Sequence, residues 1–80
     1  MTHELKIKAE YFIPKLYNRK NFEIRLNDRN YQVGDFIKYN VIDNSTLNEV
    51  AQEKLYQITY ITNFEQKENF VVFGDKLVNI

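Results

Sequence analysis

The sequence predicts an α+β fold that is mostly β, a small open barrel of about five strands with one main helix after the first strand. Most segments alternate apolar and polar side chains with the period of a strand. One segment near the N-terminus has helical spacing, and turn-forming residues separate the segments. Eighty residues with 44% apolar side chains fit one domain over residues 1–80. A second short helix between the third and fourth strands is a further candidate.

The first strand and the helix are predicted from a change of period. Apolar and charged side chains alternate from His3 to Ile7, which indicates a strand with one buried face. From Ala9 to Asn18 the spacing of apolar side chains becomes helical. Those side chains are Phe12, Ile13, Leu16 and Tyr17. Pro14 interrupts the segment, so the helix either starts near Ile13 with Pro14 in its first turn or is kinked there.

A second strand is predicted over Phe22 to Leu26, where apolar and charged side chains alternate strictly. Side chains two positions apart lie on one face of a strand. We therefore expect Phe22, Ile24 and Leu26 to enter the core. Glu23 and Arg25 are expected to share the opposite face as neighbours.

The middle of the chain contains two turns, a strand and a candidate helix. Turn residues occupy Asn27–Asn30 and Val33–Asp35, and a glycine in the second turn can take a positive φ. A third strand is predicted over Phe36 to Ile42. Thr46-Leu47-Asn48-Glu49 matches a capping box, so a helix of one or two turns is predicted within Asp43 to Ala51.

The last part of the chain predicts two more strands. Leu55 to Phe64 alternates and is rich in residues that favour strands. Glu65 to Asn69 is a charged loop. Phe70 to Phe73 and Lys76 to Val78 form a last strand, broken or bulged at Gly74.

Composition excludes several classes of function. The chain has no cysteine and one histidine, His3, so no transition-metal site and no cofactor is expected, and His3 is interpreted as a polar residue at a strand edge. No glycine-rich phosphate loop is present. The longest apolar run, Phe70 to Phe73, is too short to span a bilayer, and the charged N-terminus does not resemble a signal peptide. A soluble, cytoplasmic protein with no membrane partner is expected.

Basic side chains are concentrated in one part of the sequence. Residues 1–42 carry a formal charge of about +3 and residues 43–80 about −3. Every arginine lies between Lys15 and Arg29, which favours an anionic partner there, although a solvated surface would give the same pattern. Within this stretch, Lys20, Glu23 and Arg25 could meet on one sheet surface as a chemical site or as a plain salt bridge.

Several tyrosines could present rings for base stacking beside the basic stretch. The candidates are Tyr11, Tyr17, Tyr31, Tyr39 and Tyr60. Because a small domain needs its aromatic residues for burial, we expect one or two of them at most to contact a ligand.

Five short motifs carry a resemblance to a known family. They are His3-Glu4-Leu5-Lys6-Ile7, Tyr11-Phe12, Lys20-Asn21-Phe22-Glu23-Ile24-Arg25, Asn27-Asp28-Arg29 and Val33-Gly34-Asp35. With them the chain resembles a small bacterial and phage family of unknown function that is allied to the ASCH domains of the PUA-like superfamily. The resemblance implies a PUA-like, ASCH-type open β-barrel with a cleft between helix and sheet, and a ligand that is RNA or a modified nucleotide.

One enzyme of that superfamily is a small amidohydrolase acting on acetylated cytidine. Its catalytic residues are a lysine, a threonine three residues later and a distant glutamate, and an arginine follows in the motif. Lys20 and Arg25 match the lysine and the arginine, whereas Glu23 stands where the threonine would be. The distant glutamate has no clear counterpart among Glu49, Glu53, Glu65 and Glu68.

The sequence therefore predicts a small module that binds RNA or a nucleotide. In it Arg19, Lys20, Arg25 and Arg29 would receive phosphate, and Glu23 would accept a hydrogen bond from a base. Two alternatives stay open. The first is an amidohydrolase with Lys20 and Glu23 as catalytic residues. The second is a protein-interaction factor that contacts its partner through the acidic second half, including Glu65 and Glu68.

Overall fold

Five strands and one helix follow one another in the computed structural model, which describes residues 1–78. Their bounds are β1 Thr2–Lys8, α1 Ala9–Leu16, β2 Phe22–Leu26, β3 Phe36–Ile42, β4 Glu49–Thr62 and β5 Phe70–Val78. Strands predominate and one helix follows β1, so the α+β, mostly β class is confirmed. Within the described part of the chain, no helix is long and apolar enough to cross a membrane.

The strands form one curled sheet in the order β1-β3-β4-β5-β2. β1 runs parallel to β3, and the other three pairs are antiparallel. β1 and β2 are the two edge strands, and the curl of the sheet brings their free edges towards each other. We call the gap between these edges the seam. Nη2 of Arg25 on β2 donates to the carbonyl oxygen of Lys6 on β1 across it, at 3.0 Å.

The core lies on the concave face of the sheet under α1. Its buried apolar members are Leu5, Ile7, Phe12, Tyr31, Ile37, Tyr39, Tyr56, Ile58, Val71 and Phe73. Phe12 is the residue of α1 that enters this core, where its ring packs against Tyr39 and Tyr56 with centroid distances of 6.0 and 6.2 Å. The aromatic side chains thus fill the half-barrel, as burial in a small domain requires.

α1 rules out one of the two versions of the helix that the sequence suggested, the start near Ile13, and has Pro14 within it as the other version required. It begins at Ala9 rather than near Ile13, so Pro14 lies inside it and leaves the Glu10 carbonyl without its usual partner. The buried face consists of Phe12 and Lys15, while Ile13 is exposed. Of the four apolar side chains at helical spacing, only Phe12 is buried.

α1 ends at Leu16 with Tyr17 as its C-cap, and Asn18 is the residue that stops the helix. Asn18 takes the left-handed conformation with φ of 60°, its N–H bonds to the Lys15 carbonyl at 3.1 Å, and the Arg19 N–H bonds to the Pro14 carbonyl at 2.9 Å. These two bonds form a Schellman motif, which satisfies the last carbonyls of a helix. The motif turns the chain sharply towards β2.

The predicted faces of β2 are wrong. Glu23 is 5% exposed, whereas Phe22 and Ile24 are 44% and 55% exposed, and Leu26 is also exposed. The register with β5 places Glu23 opposite the fully buried Phe73, so Glu23 and Arg25 point to the concave side of the sheet. Burying a carboxylate is costly unless it is paired, and the partners of Glu23 described below supply that pairing.

The predicted second helix is also wrong, because residues 43–48 form a hairpin loop between β3 and β4. The Asp43 carboxylate accepts from the backbone N–H groups of Ser45 and Thr46 at 2.8 and 3.1 Å. Thr46 Oγ1 accepts from the N–H of Asn48, not of Glu49 as a capping box requires. Leu47 adopts a φ of 61°, which is left-handed and ends any helical turn.

The irregularity predicted at Gly74 in β5 lies instead in the neighbouring strand, β4. β5 is continuous, and the register shift lies in β4 between Ile58 and Tyr60, opposite Gly74. A Cβ at Gly74 would lie 3.0 Å from Oγ1 of Thr59, the extra residue of β4. The absence of a side chain at Gly74 thus leaves room for the bulge in the partner strand β4. The turn glycine Gly34 has a φ of 94°, as predicted.

Candidate functional site

Glu23 is a buried carboxylate that contacts three cationic side chains. Its Oε2 lies 3.2 Å from Lys15 Nζ and accepts a short hydrogen bond from Lys20 Nζ. Its Oε1 accepts from Arg25 Nη2 and Nε at 3.3 and 3.4 Å. The Arg25 contacts are the longest of the set, so Oε1 is the more weakly bonded of the two oxygens of Glu23.

Lys15 connects Glu23 to a second buried carboxylate, Asp75. Lys15 Nζ donates to Oδ1 and Oδ2 of Asp75 at 2.8 and 2.9 Å, and its side chain is 1% exposed. Nζ also lies 5.3 and 5.6 Å from the ring centroids of Tyr39 and Tyr56, within cation–π range. Two carboxylates and two aromatic rings thus surround one lysine in the core.

Tyr39 completes this buried cluster by donating its hydroxyl hydrogen to Asp75 Oδ2. Burial, together with the neighbouring carboxylate of Asp75, raises the pKa of Tyr39 far above its ordinary value. Tyr39 therefore stays protonated and keeps its donor role. Because Asp75 and Glu23 are both held by fixed donors, the position of Glu23 is set from inside the protein.

The segment after α1 brings Lys20 to Glu23. Lys15 Nζ donates to the Lys20 carbonyl at 3.3 Å, and the Asp75 N–H bonds to the Asn21 carbonyl at 3.1 Å. Both bonds fix the backbone of residues 18–21 against the buried cluster. Lys20 Nζ then reaches Glu23 and also donates to the Phe22 carbonyl at 3.1 Å.

A cleft of about 500 Å³ opens above Glu23 between α1, β1 and β2. Tyr11 and Phe22 present half-exposed rings in it, and Lys20 Nζ lies 5.8 and 5.2 Å from their centroids. Its remaining lining residues are Lys6, Ile7, Lys8, Glu23, Ile24 and Arg25. The cleft therefore combines two aromatic surfaces and four cationic side chains with one carboxylate, Glu23.

The structure brings Lys20, Glu23 and Arg25 together in this cleft and separates the other two predicted binding residues from it. Arg29 is exposed, lies 3.9 Å from an oxygen of Asp28, and lines a second recess that also includes Arg25. Arg19 is exposed and lines neither of the two recesses.

Sequence reasoning missed several residues of the site. Lys15 was counted only as part of a basic stretch, although it follows Phe12 by three positions and so shares its helix face. Asp75 alternates in phase with Val71 and Phe73, a signal of burial that was available in the sequence. On β1 and β2 the missed lining residues are Lys6, Lys8 and Phe22.

The five candidate tyrosines differ in burial and in position relative to the cleft. Tyr31 and Tyr39 are buried in the core, whereas Tyr17 and Tyr60 are exposed away from the cleft. Tyr11 is the one of the five candidates that lines the cleft.

His3 lies on the edge strand β1, as predicted, but its side chain is buried. It is 5% exposed, its Nε2 lies 2.8 Å from Asp35 Oδ2, and its ring packs edge-on against Tyr31 at a centroid distance of 5.0 Å. Residues 1–78 contain no group of three or more His, Cys, Asp or Glu side chains that could hold a metal ion. Glu65 and Glu68 lie exposed on the loop between β4 and β5, with Lys67 between them.

Comparison with known protein families gives one match for this chain. The family described as Domain of unknown function (DUF3850) matches residues 2–74, which include the whole of β1 to β4, α1 and the cleft. No curated protein matches the chain.

Proposed function

This chain belongs to the DUF3850 family, and we propose that it is a small module of the ASCH and PUA-like type that binds RNA or a nucleotide in the cleft between α1 and β2. One observation carries the proposal. A buried carboxylate and an arginine form the floor of a cleft whose walls present two half-exposed aromatic rings.

The walls suit a nucleobase. Tyr11 comes from α1 and Phe22 from β2, and an exposed aromatic ring in a cleft offers a stacking surface to any base. Such stacking contributes about 1 to 3 kcal/mol per base. The ring of Phe22 is 44% exposed, and contact with a base would cover it.

The floor offers both kinds of hydrogen-bonding group. Glu23 Oε1 is an acceptor for an amino or imino group of a base. Arg25 uses Nε and Nη2 for Glu23 and Lys6, and within residues 1–78 its Nη1 has no acceptor. Nη1 is therefore a free donor for a carbonyl oxygen or a phosphate.

The rim suits phosphate. Lys6, Lys8 and Lys20 line the cleft together with Arg25, and Lys6 has one loose ion pair with Glu49 at 3.5 Å. Lysines at the edge of a cleft neutralise backbone phosphates without reading sequence, while groups at its floor select the base. This division matches the recognition of unpaired RNA bases.

Fluorescence anisotropy with a short, labelled single-stranded RNA tests the proposal. Arg25→Gln is expected to weaken binding by about tenfold or more, because a well-placed arginine contact contributes about 1 to 3 kcal/mol. Lys54→Gln removes the same formal charge from an exposed position on β4 outside the cleft, and is expected to change affinity less than about twofold.

Two results would contradict the proposal. One is the absence of measurable RNA or nucleotide binding by the unchanged protein at low salt. The other is an equal loss of affinity in Arg25→Gln and Lys54→Gln, since that would indicate general attraction to charge rather than a site. Melting curves of both variants confirm that binding is measured on folded protein.

A second candidate function is supported by the direct contact between Lys20 and Glu23 at the floor of the cleft. An amine and a carboxylate in contact could exchange a proton during hydrolysis of an acylated cytidine nucleoside. Incubation with N4-acetylcytidine and chromatography of the products tests this activity. Turnover that is lost in Lys20→Gln and kept in Lys54→Gln would favour the hydrolase, and no deacetylated product would remove it.

A further inference from the structure

We propose that the binding site continues past Arg25 into a second recess, so that it accommodates at least two linked nucleotides rather than a single nucleotide. This inference rests on the proposed function and adds the length of the ligand. The second recess has a volume of about 700 Å³ and lies along the same seam between β1 and β2. Lys6, Ile24 and Arg25 line both recesses, which makes them neighbours along one groove.

Arg25 stands at the boundary of the two recesses. Its guanidinium is anchored on one side to Glu23 and on another to the Lys6 carbonyl, and its side chain is 23% exposed. Arg25 lines both recesses, and its Nη1 has no acceptor among residues 1–78. A phosphate that links a nucleoside in the cleft to one in the second recess would lie at this boundary.

The charge of the second recess suits a nucleoside better than another phosphate. Its cationic side chains are Lys6, Arg25 and Arg29, and Glu4 and Asp28 bring carboxylates to the same lining. Asp28 lies 3.9 Å from Arg29 and offsets part of its charge. Acceptors and donors are therefore both present, as a base and a ribose need.

Asn40 supplies the independent observation. It lines the second recess, and its Oδ1 is buried without a hydrogen-bond partner among the described residues. An unsatisfied buried acceptor is destabilising, and a ligand that turned the Asn40 side chain so that Oδ1 accepted its donor would remove that penalty. An amino group of a nucleobase is such a donor.

The experiment compares ligands of different length on the same protein. Isothermal titration with each common nucleoside 5′-monophosphate and with the full set of ribodinucleoside monophosphates gives two sets of affinities. A dinucleoside monophosphate carries less negative charge than a nucleotide, so attraction to charge alone would make it the weaker ligand. We expect the best dinucleoside monophosphate to bind about tenfold tighter than the best nucleotide, as one additional bound base allows.

Three variants test whether the gain in affinity of the dinucleoside monophosphate comes from the second recess. Asn40→Leu removes the unsatisfied acceptor with little change of volume and is expected to abolish the advantage of the dinucleoside monophosphate. Arg29→Gln alters an exposed side chain of the same recess and is expected to reduce the affinity gain of the dinucleoside monophosphate. This variant therefore tests the second recess even if Asn40→Leu does not fold. Asn44→Leu, in the hairpin loop between β3 and β4, is the matched control and should keep the advantage in full.

The outcomes separate this inference from the proposed function. Equal affinity for nucleotides and dinucleoside monophosphates would overturn the second subsite and leave the cleft as a single-nucleotide site. An advantage that survives in both Asn40→Leu and Arg29→Gln would also overturn it, because the extra base would then lie elsewhere. Failure of both ligand sets to bind would remove the proposed function and this inference together.

Discussion

At the scale of single residues, Lys15 has the largest structural role in the site. Among residues 1–78 it is the one cation that contacts both Glu23 and Asp75, whose carboxylates are buried. Lys20 and Arg25 approach Glu23 from the solvent side and are partly exposed, so water can replace them in part. No such replacement is available for Lys15 inside the core.

We predict that Lys15→Met lowers the free energy of unfolding by about 3 to 5 kcal/mol, because it leaves two buried carboxylates without their shared partner. Urea denaturation followed by circular dichroism measures the loss. Lys54→Met, at an exposed position, should change the free energy by less than about 0.5 kcal/mol.

The double variant Lys15→Met, Asp75→Asn separates the ion pair from the packing of the lysine stem. It should be more stable than Lys15→Met alone, since one of the two buried carboxylates that lose Lys15 is then replaced by a neutral side chain. A double variant as unstable as the sum of the single losses would contradict this role of Lys15.

Asp35 predicts a dependence of stability on pH. The hydrogen bond from His3, followed by the backbone N–H of Gln32, holds the pKa of Asp35 below its ordinary value. A carboxyl whose folded pKa is depressed stabilises the fold above its unfolded pKa of about 3.9 and loses that contribution as pH falls through the folded value.

Asp35→Asn should therefore be clearly less stable than the unchanged protein at pH 7 and approach it in stability near pH 3. Urea midpoints at both pH values measure the difference. Asp43, whose pKa is lowered by hydrogen bonds from Ser45 and Thr46, stays in both proteins, so its titration cancels from the comparison. A difference that is the same at pH 7 and pH 3 would disprove the contribution of Asp35.

At the scale of elements, periodicity predicted where strands lie better than which way they face. The alternation from Phe22 to Leu26 places β2 correctly, but both faces of an edge strand can meet apolar or charged surroundings. The side that is buried depends on the register with β5, which is far away in sequence, and on Lys15, which lies on α1 outside the strand. Local pattern alone contains no information on either contact.

The hairpin between β3 and β4 shows that a short sequence motif can also predict the wrong local structure. Thr46 and Glu49 have the spacing of a capping box, but Glu49 already pairs with Ile42 as the first residue of β4. The Asp43 carboxylate also satisfies the N–H groups that a helix would have used. Sheet pairing therefore overrides a local helix signal that is only four residues long.

Leu47→Gly distinguishes the hairpin from a helix by the sign of its effect. In the hairpin a leucine with φ of 61° is strained by about 1 kcal/mol or more, so glycine should stabilise the protein by about 0.5 to 1 kcal/mol. In a helix the same change would cost about 1 kcal/mol. Thermal unfolding measures the shift. Leu47→Ala keeps the Cβ and its strain, and should leave stability nearly unchanged.

At the scale of the whole molecule, the cleft concentrates positive charge on a chain that is formally neutral. Four cationic side chains surround it, while residues such as Glu65 and Glu68 lie on a loop elsewhere. The separation of charge between the two halves of the sequence can be counted from the sequence alone. The cationic cleft cannot be predicted in this way, because Lys6 and Lys8 join it from β1 only after the sheet curls.

RNA affinity should decrease with salt in proportion to the phosphates that the cleft holds. For two or three phosphates on a single strand, the slope of log affinity against log salt is about −1.5 to −2. Anisotropy titrations across a range of potassium chloride concentrations measure it. Lys8→Gln should reduce the slope by less than about 1, while a slope near zero would indicate that phosphate is not bound.

The contact between Lys15 and Asp75 spans 60 residues, and it places a partner of the cleft on β5. During synthesis the N-terminal half of the chain emerges with Lys15 and Glu23 but without Asp75. A nascent chain can therefore not assemble this cleft until β5 has left the ribosome. The cleft and the complete sheet thus form together, and a half-made chain lacks the buried ion pair that holds the cleft in place.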